Sequence, residues 1–278
     1  MKAADFDYYR VDSLEDALDR LTELGEDAKV LAGGQSLVPM MNFRLARPAA
    51  LVDIMRVEEL RGIERDGDVL RIRAATTHGE VEHAAELEGG YEVLRAAAAW
   101  VGHEPIRSRG TFGGSLAHAD PTAEWCLIAV ALGAVIEIAG PAGEREVPAE
   151  EFLLGYFTTA LEPDEIVTAV RFPARCRRAA MQEFARRHGD FALVAVAVAL
   201  PDDGEPRVVL GGVGDVPVRA RDAEQVLADS PDSFEEAARA AAAEIDPGAD
   251  LHASPDYRRR LATTLVHRAL EEAVADGR

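Results

Sequence analysis

The spacing of apolar residues predicts helices and strands in mixed order along the chain. Behind Ser13, a favoured N-cap residue, apolar side chains recur at intervals of three and four and predict a helix that stops at Gly25. Short runs rich in apolar and β-branched residues, such as AKVLAG and EIVTAVRFP, are typical of strands. The segment IERDGDVLRIRAAT predicts a hairpin that turns at Asp66-Gly67.

The pattern changes at about residue 176. The segments MQEFARRHGDFALVAVAVAL and PRVVLGGVG predict three strands, and the spacing after Asp222 is helical. Strands and helices do not alternate in strict βαβ order, which favours the α+β class with a C-terminal domain of a sheet plus helices. We therefore expect one domain over residues 1–175 and a second over residues 176–278.

Two adjacent glycines follow the predicted strand AKVLAG. The first glycine segment, AGGQS, runs from Ala32 to Ser36 and precedes a short helix or turn. Glycine adopts positive φ and lets a ligand approach the main chain without a Cβ in the way. Successive backbone N–H groups in such a turn can bind an anion, and Gln35 and Ser36 add side-chain donors. The alternative is a tight left-handed turn that binds nothing.

The second glycine segment, TFGGS, runs from Thr111 to Ser115 and again places hydroxyls around a glycine pair. We interpret it as a loop before a helix that has Asp120 as its N-cap and Pro121 at its first position. Two opposed loops of this kind could clasp the pyrophosphate of a dinucleotide. Neither contains G-x-G-x-x-G, and the chain has no G-x-x-x-x-G-K-[ST], which argues against Rossmann and P-loop sites.

Composition limits the classes of function. The chain has 278 residues, with no apolar run of membrane-spanning length and no apolar signal core, so we expect a cytoplasmic protein. Its net charge of −20 repels nucleic acid and anionic membranes, although the acidic excess is also explained as a solubility or salt adaptation. An anionic ligand must therefore be held by local backbone N–H groups. Cys126 and Cys176 are too few and too far apart to ligate a metal or an iron–sulfur cluster alone.

The two glycine segments lie within longer stretches that resemble a known family. AGGQSLVPMMNFRLARPAALVDI and IRSRGTFGGSLAHADPTAEW are similar to the two FAD-binding signatures of the medium, flavoprotein subunits of molybdenum hydroxylases, which include aerobic carbon monoxide dehydrogenase and xanthine dehydrogenase. The resemblance continues to the C-terminal helix and covers essentially the whole chain. It implies an α+β fold of the vanillyl-alcohol-oxidase (PCMH) type, with FAD-binding lobes at about residues 1–55 and 56–175 and a C-terminal domain after them.

The resemblance also implies which residues bind FAD. One lobe would line the pyrophosphate with Ala32, Gly33, Gly34, Gln35, Ser36 and Leu37. The other lobe would line it with Thr111, Gly113, Gly114 and Ser115. Asp120 would bind a ribose or flavin-chain hydroxyl, with simple N-capping as the alternative, and Leu161, Arg178 and Phe191 would approach the flavin.

Several positions keep two interpretations. Ser108 and Phe112 depart from the Asn and Ile that the family commonly has, so one amide donor is lost and bulk is added beside the glycines. Phe191 would cover a flavin face or serve as a core residue at the start of a strand. His118 would adjoin the flavin or make a structural hydrogen bond. The run Arg258–Arg260 would be a solvated helix surface or a contact with a partner subunit.

No catalytic triad, carboxylate pair or metal cluster stands out, which fits an electron-transfer module in which the flavin carries the redox chemistry. The resemblance implies an FAD-dependent oxidoreductase subunit of a heterotrimer. It would take electrons from the [2Fe–2S] clusters of a small subunit, beside a large molybdopterin subunit, and pass them to an external acceptor. Two alternatives stay open: a stand-alone flavin oxidoreductase of the same fold, and a nucleotide-binding protein without redox function.

Overall fold

The structure, a computed structural model, describes residues 2–276 and confirms an α+β fold. The first lobe consists of β1 (Asp7–Arg10), α1 (Leu14–Leu24), β2 (Ala28–Leu31), α2 (Leu37–Asn42) and β3 (Ala50–Asp53). Its three strands form a parallel sheet in the order β1-β3-β2. As predicted, Ser13 caps α1 by accepting a hydrogen bond from the Asp16 N–H, and Gly25 ends the helix at φ +69°.

The second lobe is built on a five-stranded antiparallel sheet. Its elements are β4 (Ile63–Asp66), β5 (Val69–Arg73), α3 (His78–Glu82), α4 (Glu92–Trp100), α5 (Glu104–Arg107), α6 (Phe112–His118), α7 (Glu124–Ala131), β6 (Val135–Gly140), β7 (Gly143–Pro148), α8 (Ala149–Phe152), β8 (Leu153–Gly155), β9 (Thr158–Thr159) and β10 (Ile166–Phe172). The strand order is β4-β5-β10-β6-β7, and β8 pairs with β9 separately. The predicted hairpin turns at Gly67, which adopts φ +59°.

The C-terminal part of the chain packs helices on one face of a third sheet. Its elements are β11 (Ala179–Phe184), β12 (Val194–Ala199), β13 (Arg207–Gly211), β14 (Val218–Arg219), α9 (Arg221–Asp229), α10 (Phe234–Glu244) and α11 (Pro255–Asp276). The four strands are antiparallel and lie in chain order. Side chains alternate between the two faces, so that Val194 and Val196 face the helices while Ala195 and Ala197 join the core of the second lobe. The predicted domain division at residue 176 falls between the second and third sheets.

Helix α7 lies between the second lobe and the C-terminal sheet. Every residue from Trp125 to Ala131 is buried, because the helix packs against β12 and β13 on one side and against α4 and α6 on the other. An apolar surface all around is what a helix buried on all sides requires. The predicted helix is present, and it connects two cores.

Two local predictions are wrong at the second glycine segment. The segment is not a loop: Thr111 is the N-cap of α6, and both glycines lie in the first turn of that helix. Asp120 is not an N-cap, because α7 begins at Glu124 with Ala123 before it. The Oδ1 atom of Asp120 instead accepts hydrogen bonds from the backbone N–H of Thr122 at 2.8 Å and from its hydroxyl at 2.7 Å. Asp120 therefore closes a local turn.

The arginine run at the start of α11, Arg258–Arg260, is not a fully solvated helix surface. Arg258 is buried, and its guanidinium donates to the carbonyl oxygens of Leu193 and Gly212 and to the carboxylate of Asp250 at 2.6 Å. Only Arg260 is exposed as the charge pattern predicted. Within residues 2–276, no helix combines the length and apolar character needed to cross a bilayer.

Candidate cofactor site

The first glycine segment presents unpaired backbone donors at the end of β2. Gly34 adopts φ +72°, and the Gln35 side-chain amide turns back to donate to the Gly33 carbonyl oxygen at 3.2 Å. Among the residues that the structure describes, the backbone N–H groups of residues 33–36 have no acceptor. Four successive free donors, on a turn that becomes exposed at Gln35 and Ser36, are the chemistry that an anion needs.

The first glycine segment lies close to the second and to the two residues before it. A Cβ atom added to Gly33 would lie 2.0 Å from the carbonyl oxygen of Arg109 and 2.7 Å from the Cα atom of Gly110. A Cβ added to Gly114 would lie 3.6 Å from the Cβ of Ala32. Only glycine at position 33 lets the two main chains approach this closely.

The second glycine segment uses its own backbone donors internally. The N–H groups of Phe112 and Gly113 donate to the carbonyl oxygens of Thr76 and Ala74, both at 2.9 Å. The N–H of Gly114 donates to the Thr111 hydroxyl at 3.2 Å, and that of Ser115 to the Thr111 carbonyl at 3.1 Å. The two segments therefore differ in chemistry: the first offers N–H groups, and the second offers hydroxyls and a close approach.

His78 packs beside the second glycine segment and forms hydrogen bonds to the residues around it. Its backbone N–H donates to the Gly110 carbonyl at 2.9 Å, and its ring Nδ1 accepts a hydrogen bond from Trp125 Nε1 at 2.9 Å. Burial lowers the pKa of His78 to about 4, so the ring is neutral at neutral pH. Next to it, Thr77 caps α3 and forms an isolated bridge to Thr111. Sequence reasoning assigned no role to His78, because its partners are distant in the chain.

The end of α6 carries Asp120 and an aromatic pair. Ala119 adopts the left-handed conformation at φ +50°, which turns the chain towards Asp120. The Oδ2 atom of Asp120 has no hydrogen-bond partner within residues 2–276, so it remains available to a hydroxyl donor. His118 stacks on Phe157 with ring centroids 4.8 Å apart, and burial lowers the pKa of His118. Phe157, which the sequence did not single out, has φ +52° and donates its N–H to the Ala119 carbonyl.

The remaining predicted residues lie at different distances from this region. Leu161 is half-buried just after β9, which packs against α6. Phe191 lies in the loop between β11 and β12, and 78% of its surface is exposed. Arg178 precedes β11 and pairs with Asp202 at 3.2 Å. Six strand residues, about 20 Å at the usual rise, separate the Arg178 end of β11 from the Phe191 end, so the structure does not bring these two residues together.

Comparison of the chain with known protein families identifies the family to which it belongs. Residues 4–175 match the family described as "FAD binding domain in molybdopterin dehydrogenase", and residues 179–273 match "CO dehydrogenase flavoprotein C-terminal domain". The chain is an FAD-binding medium subunit of the molybdenum hydroxylase family. It is accordingly an oxidoreductase subunit with FAD as its cofactor, and the resemblance inferred from the glycine segments is confirmed.

Relatives of this FAD-binding medium subunit match it over nearly their full length. The 6-hydroxypseudooxynicotine dehydrogenase complex subunit alpha of Paenarthrobacter nicotinovorans is 40% identical over 99% of this chain and 96% of its own. The carbon monoxide dehydrogenase medium chain of Hydrogenophaga pseudoflava is 35% identical over 97% of each chain. A chain of quinoline 2-oxidoreductase from Pseudomonas putida 86 has the same fold, with a TM-score of 0.94, 35% identity and complete coverage of both chains.

The residues of this subunit fit FAD. Free N–H groups at residues 33–36 suit a pyrophosphate, and glycine at position 33 brings them close to the chain before the second glycine segment. When bound, FAD would supply the capacity to accept two electrons and release them singly or together. A cavity of about 1120 Å³ lies elsewhere, between α4, β11 and α11, and none of its lining residues comes from the glycine segments. Among the described residues, no group of histidine, cysteine and carboxylate side chains is arranged to hold a metal ion.

Proposed function

We propose that this FAD-binding subunit receives electrons from the [2Fe–2S] clusters of a small partner subunit and passes them to an external acceptor. In this proposal a large partner subunit carries the molybdenum–pterin centre at which substrate is oxidised. The names of several relatives describe subunits or medium chains of dehydrogenases or of a hydroxylase, which supports a multi-subunit assembly. Two buried cysteines cannot supply the four ligands of a cluster, so the clusters would lie on another chain.

One observation carries the assignment of the site. The first glycine segment has unpaired N–H groups at residues 33–36 and packs at Gly33 against Arg109 and Gly110, just before the second segment, in a chain whose net charge of −20 would otherwise repel a pyrophosphate. We propose that residues 33–36 bind the phosphates, that the Ser115 hydroxyl assists them, and that Asp120 binds a flavin-chain hydroxyl through Oδ2. Phe191, exposed at its loop, would cover one face of the isoalloxazine.

The location of the protein belongs to the same proposal. Cys126 and Cys176 are both free thiols, as expected in a reducing compartment. We therefore propose that the complex works in the cytoplasm.

Rapid mixing tests electron delivery directly. The FAD-loaded chain is mixed anaerobically with a reduced protein that carries two [2Fe–2S] clusters, and flavin absorbance is followed. We expect the flavin to bleach while the clusters reoxidise. Gly33→Asp, which drives a side chain into the Arg109 carbonyl, should lack flavin and supplies the baseline. Gly248→Ala, where an added Cβ meets no atom within 4 Å, is the matched control.

The outcome separates the alternatives. Flavin that stays oxidised beside reduced clusters contradicts the proposed electron path. Steady-state turnover of a small molecule by the isolated chain would instead favour a stand-alone flavin oxidoreductase. The complex subunit and the stand-alone oxidoreductase would use the same FAD site, so the source of the electrons distinguishes them.

A further inference from the structure

The short helix that follows the first glycine segment carries exposed apolar side chains. Val38 of α2, and Phe43 and Leu45 of the turn that ends it, are 43%, 64% and 76% exposed. Because α2 has six residues and is about 9 Å long, the three side chains leave the chain within a short distance of one another. Single exposed apolar residues are ordinary, but several within one short element indicate a surface that another molecule covers.

The turn after α2 fixes the main chain around Phe43 and Leu45. The Leu45 N–H donates to the Met40 carbonyl oxygen at 2.8 Å, and the Arg44 N–H donates to the Met41 carbonyl oxygen at 2.9 Å. Many helices end with this pair of bonds, and glycine is the usual residue at the left-handed position between them. Here that position is Arg44, at φ +60°. The chain therefore keeps an arginine where glycine would carry less strain.

The same stretch of chain is free of acidic residues. Residues 28–52 contain no aspartate or glutamate, although the chain has 50 of them among 278 residues and would place about four or five in a stretch of this length. The stretch contains three basic residues, Lys29, Arg44 and Arg47. Within the described part of the first lobe, ion pairs form only at Arg20 on α1, so these three cations have no carboxylate partner.

The phosphates of FAD do not account for the whole of this surface. The proposed phosphate-binding groups lie at residues 33–36, before α2, whereas residues 43–47 follow it, about 9 Å further along the helix axis. An anion explains the lack of carboxylates beside its own site, but not an exposed phenylalanine and leucine beyond it. Apolar side chains next to arginines are instead the composition of a protein–protein interface.

We propose that Val38, Phe43, Arg44, Leu45 and Arg47, the α2 surface, form the docking site of the small iron–sulfur subunit. The proposal rests on the proposed function and adds the place where the electron donor binds. The partner would meet the α2 surface with an apolar area surrounded by carboxylates. A partner of that kind is repelled by the net charge of −20 on this chain, so the one acid-free stretch would also orient it.

The position of the α2 surface fits an electron donor. It begins at Val38, two residues after Ser36, the last of the proposed phosphate-binding residues. A subunit that docks there lies beside the cofactor to which it delivers electrons.

Reversing one charge tests the electrostatic part of the proposal. The FAD-loaded full chain is mixed with the reduced protein that carries two [2Fe–2S] clusters, and flavin bleaching is followed at several partner concentrations. Arg47→Glu should slow second-order bleaching about fivefold at about 20 mM salt and by less than about twofold at about 0.5 M salt. Arg268→Glu, at an exposed arginine of α11, changes the net charge equally and should match the wild type.

Removing the apolar side chains tests the contact itself. Phe43→Ser/Leu45→Ser should raise the Kd for the [2Fe–2S] protein about tenfold in calorimetry, because two apolar side chains no longer become buried. At saturating partner the bleaching rate should approach that of the wild type. The matched control is Leu251→Ser, at a leucine that is 99% exposed in the segment before α11. Its Kd should equal that of the wild type.

The flavin content of the variants tests the separation from the cofactor site. All of them should bind FAD as the wild type does, because none changes residues 33–36 or the second glycine segment. Loss of FAD from both the double variant and Arg47→Glu would assign the α2 surface to the cofactor site and overturn the proposal. Binding of a molybdenum-carrying subunit that the α2 variants lose, with unchanged binding of the [2Fe–2S] protein, would also overturn it.

Binding and electron transfer are measured separately, so the two proposals can fail separately. Flavin that stays oxidised in a complex that the α2 variants weaken would contradict the proposed function alone. Flavin that bleaches equally fast in the wild type and in the α2 variants, with equal Kd values, would contradict the docking site alone.

Discussion

At the scale of single residues, His78 connects three parts of the molecule through one buried ring. Its main chain holds Gly110, its Nδ1 holds the Trp125 indole, and an added Cβ on Gly110 would lie 2.6 Å from its Nε2. The ring must stay neutral, because Nδ1 can accept the indole N–H only without a proton. Folding therefore depends on the protonation state of this one side chain.

This dependence predicts a pH effect on stability. The pKa of His78 falls from 6.5 to about 4 on folding, so the unfolded chain binds more protons between these values. The contribution of His78 is complete above the unfolded pKa and is lost as pH falls, by about 2 kcal/mol between pH 7 and pH 5. Urea unfolding of wild type and His78→Gln at both pH values should show a smaller loss in the variant. The exposed His83→Gln should behave as wild type, and equal losses in all three would contradict the assignment.

Single residues also mark the limit of sequence reasoning. The need for glycine at position 33 followed from the sequence, but its neighbour, the Arg109 carbonyl, lies 76 positions away and only the fold brings it near. The burial of Glu183 could have been predicted, since it is a charge at an inward position of the strand AAMQEF. Six residues are a short pattern, and the alternation was not recognised.

At the scale of elements, α3 and α6 begin in the same way and side by side. Thr77 caps α3 by accepting from the Glu80 N–H at 3.2 Å, and Thr111 caps α6 by accepting from the Gly114 N–H at 3.2 Å. The two cap residues are paired by an isolated bridge. Only the second cap belongs to the proposed FAD site. Comparing variants of the two caps therefore distinguishes an effect on helix stability from an effect on cofactor binding.

Replacing each cap by alanine tests that separation. Thr77→Ala and Thr111→Ala should each lower the free energy of unfolding by about 1 kcal/mol. Only Thr111→Ala should also weaken FAD binding. The expected rise in Kd is about fivefold, which corresponds to the free energy of one hydrogen bond that orders the site. Urea unfolding and fluorescence titration with FAD measure the two effects. A similar loss of FAD affinity in Thr77→Ala would show that cap stability alone controls binding.

Elements with a clear period were predictable, whereas those set by distant contacts were not. The spacing of leucines in α1 and the turn at Gly67 were sufficient for those elements. The glycine pair of α6 was interpreted as a loop because glycine disfavours helices. In the structure the Gly113 N–H donates to the carbonyl oxygen of Ala74, and this distant contact helps to hold the first turn of the helix. At Asp120, a turn closed by Thr122 took the place of the predicted cap.

At the scale of the whole molecule, Arg258 fastens the C-terminal helix to the sheet. Its guanidinium reaches the carbonyl oxygens of Leu193 and Gly212, at the ends of β12 and β13, and the carboxylate of Asp250. Leu193 closes the loop that carries Phe191. The order of that loop therefore depends on a residue of α11, far along the chain.

Removing this guanidinium should loosen the C-terminal part of the molecule. Arg258→Met keeps the apolar stem but leaves one buried and one partly buried carbonyl oxygen without their donor, which costs about 2 kcal/mol. Arg260→Met, at the exposed neighbour, should change the stability by less than about 0.5 kcal/mol. Thermal and urea unfolding of both variants provide the comparison. Equal stability of the two variants would mean that Arg258 contributes no more than a surface charge.

The arrangement of the whole molecule was accessible from the sequence only through resemblance. Periodicity predicted a sheet-and-helices part after about residue 176, but not which face of its sheet meets the second lobe. That choice depends on the small inward residues of β12, Ala195 and Ala197, which leave room for α7.

The position of α7 makes the sequence boundary and the folding boundary different. The two family matches meet between residues 175 and 179, yet α7, at residues 124–131, contributes to the cores on both sides of that point. A chimera that joins this FAD domain to the C-terminal domain of a relative would inherit one half of an interface. The exchange would have to include the outer face of α7 together with the residues of β12 and β13 that cover it. The sequence matches two separate family domains, but the shared packing of α7 means that the two domains cannot be exchanged independently.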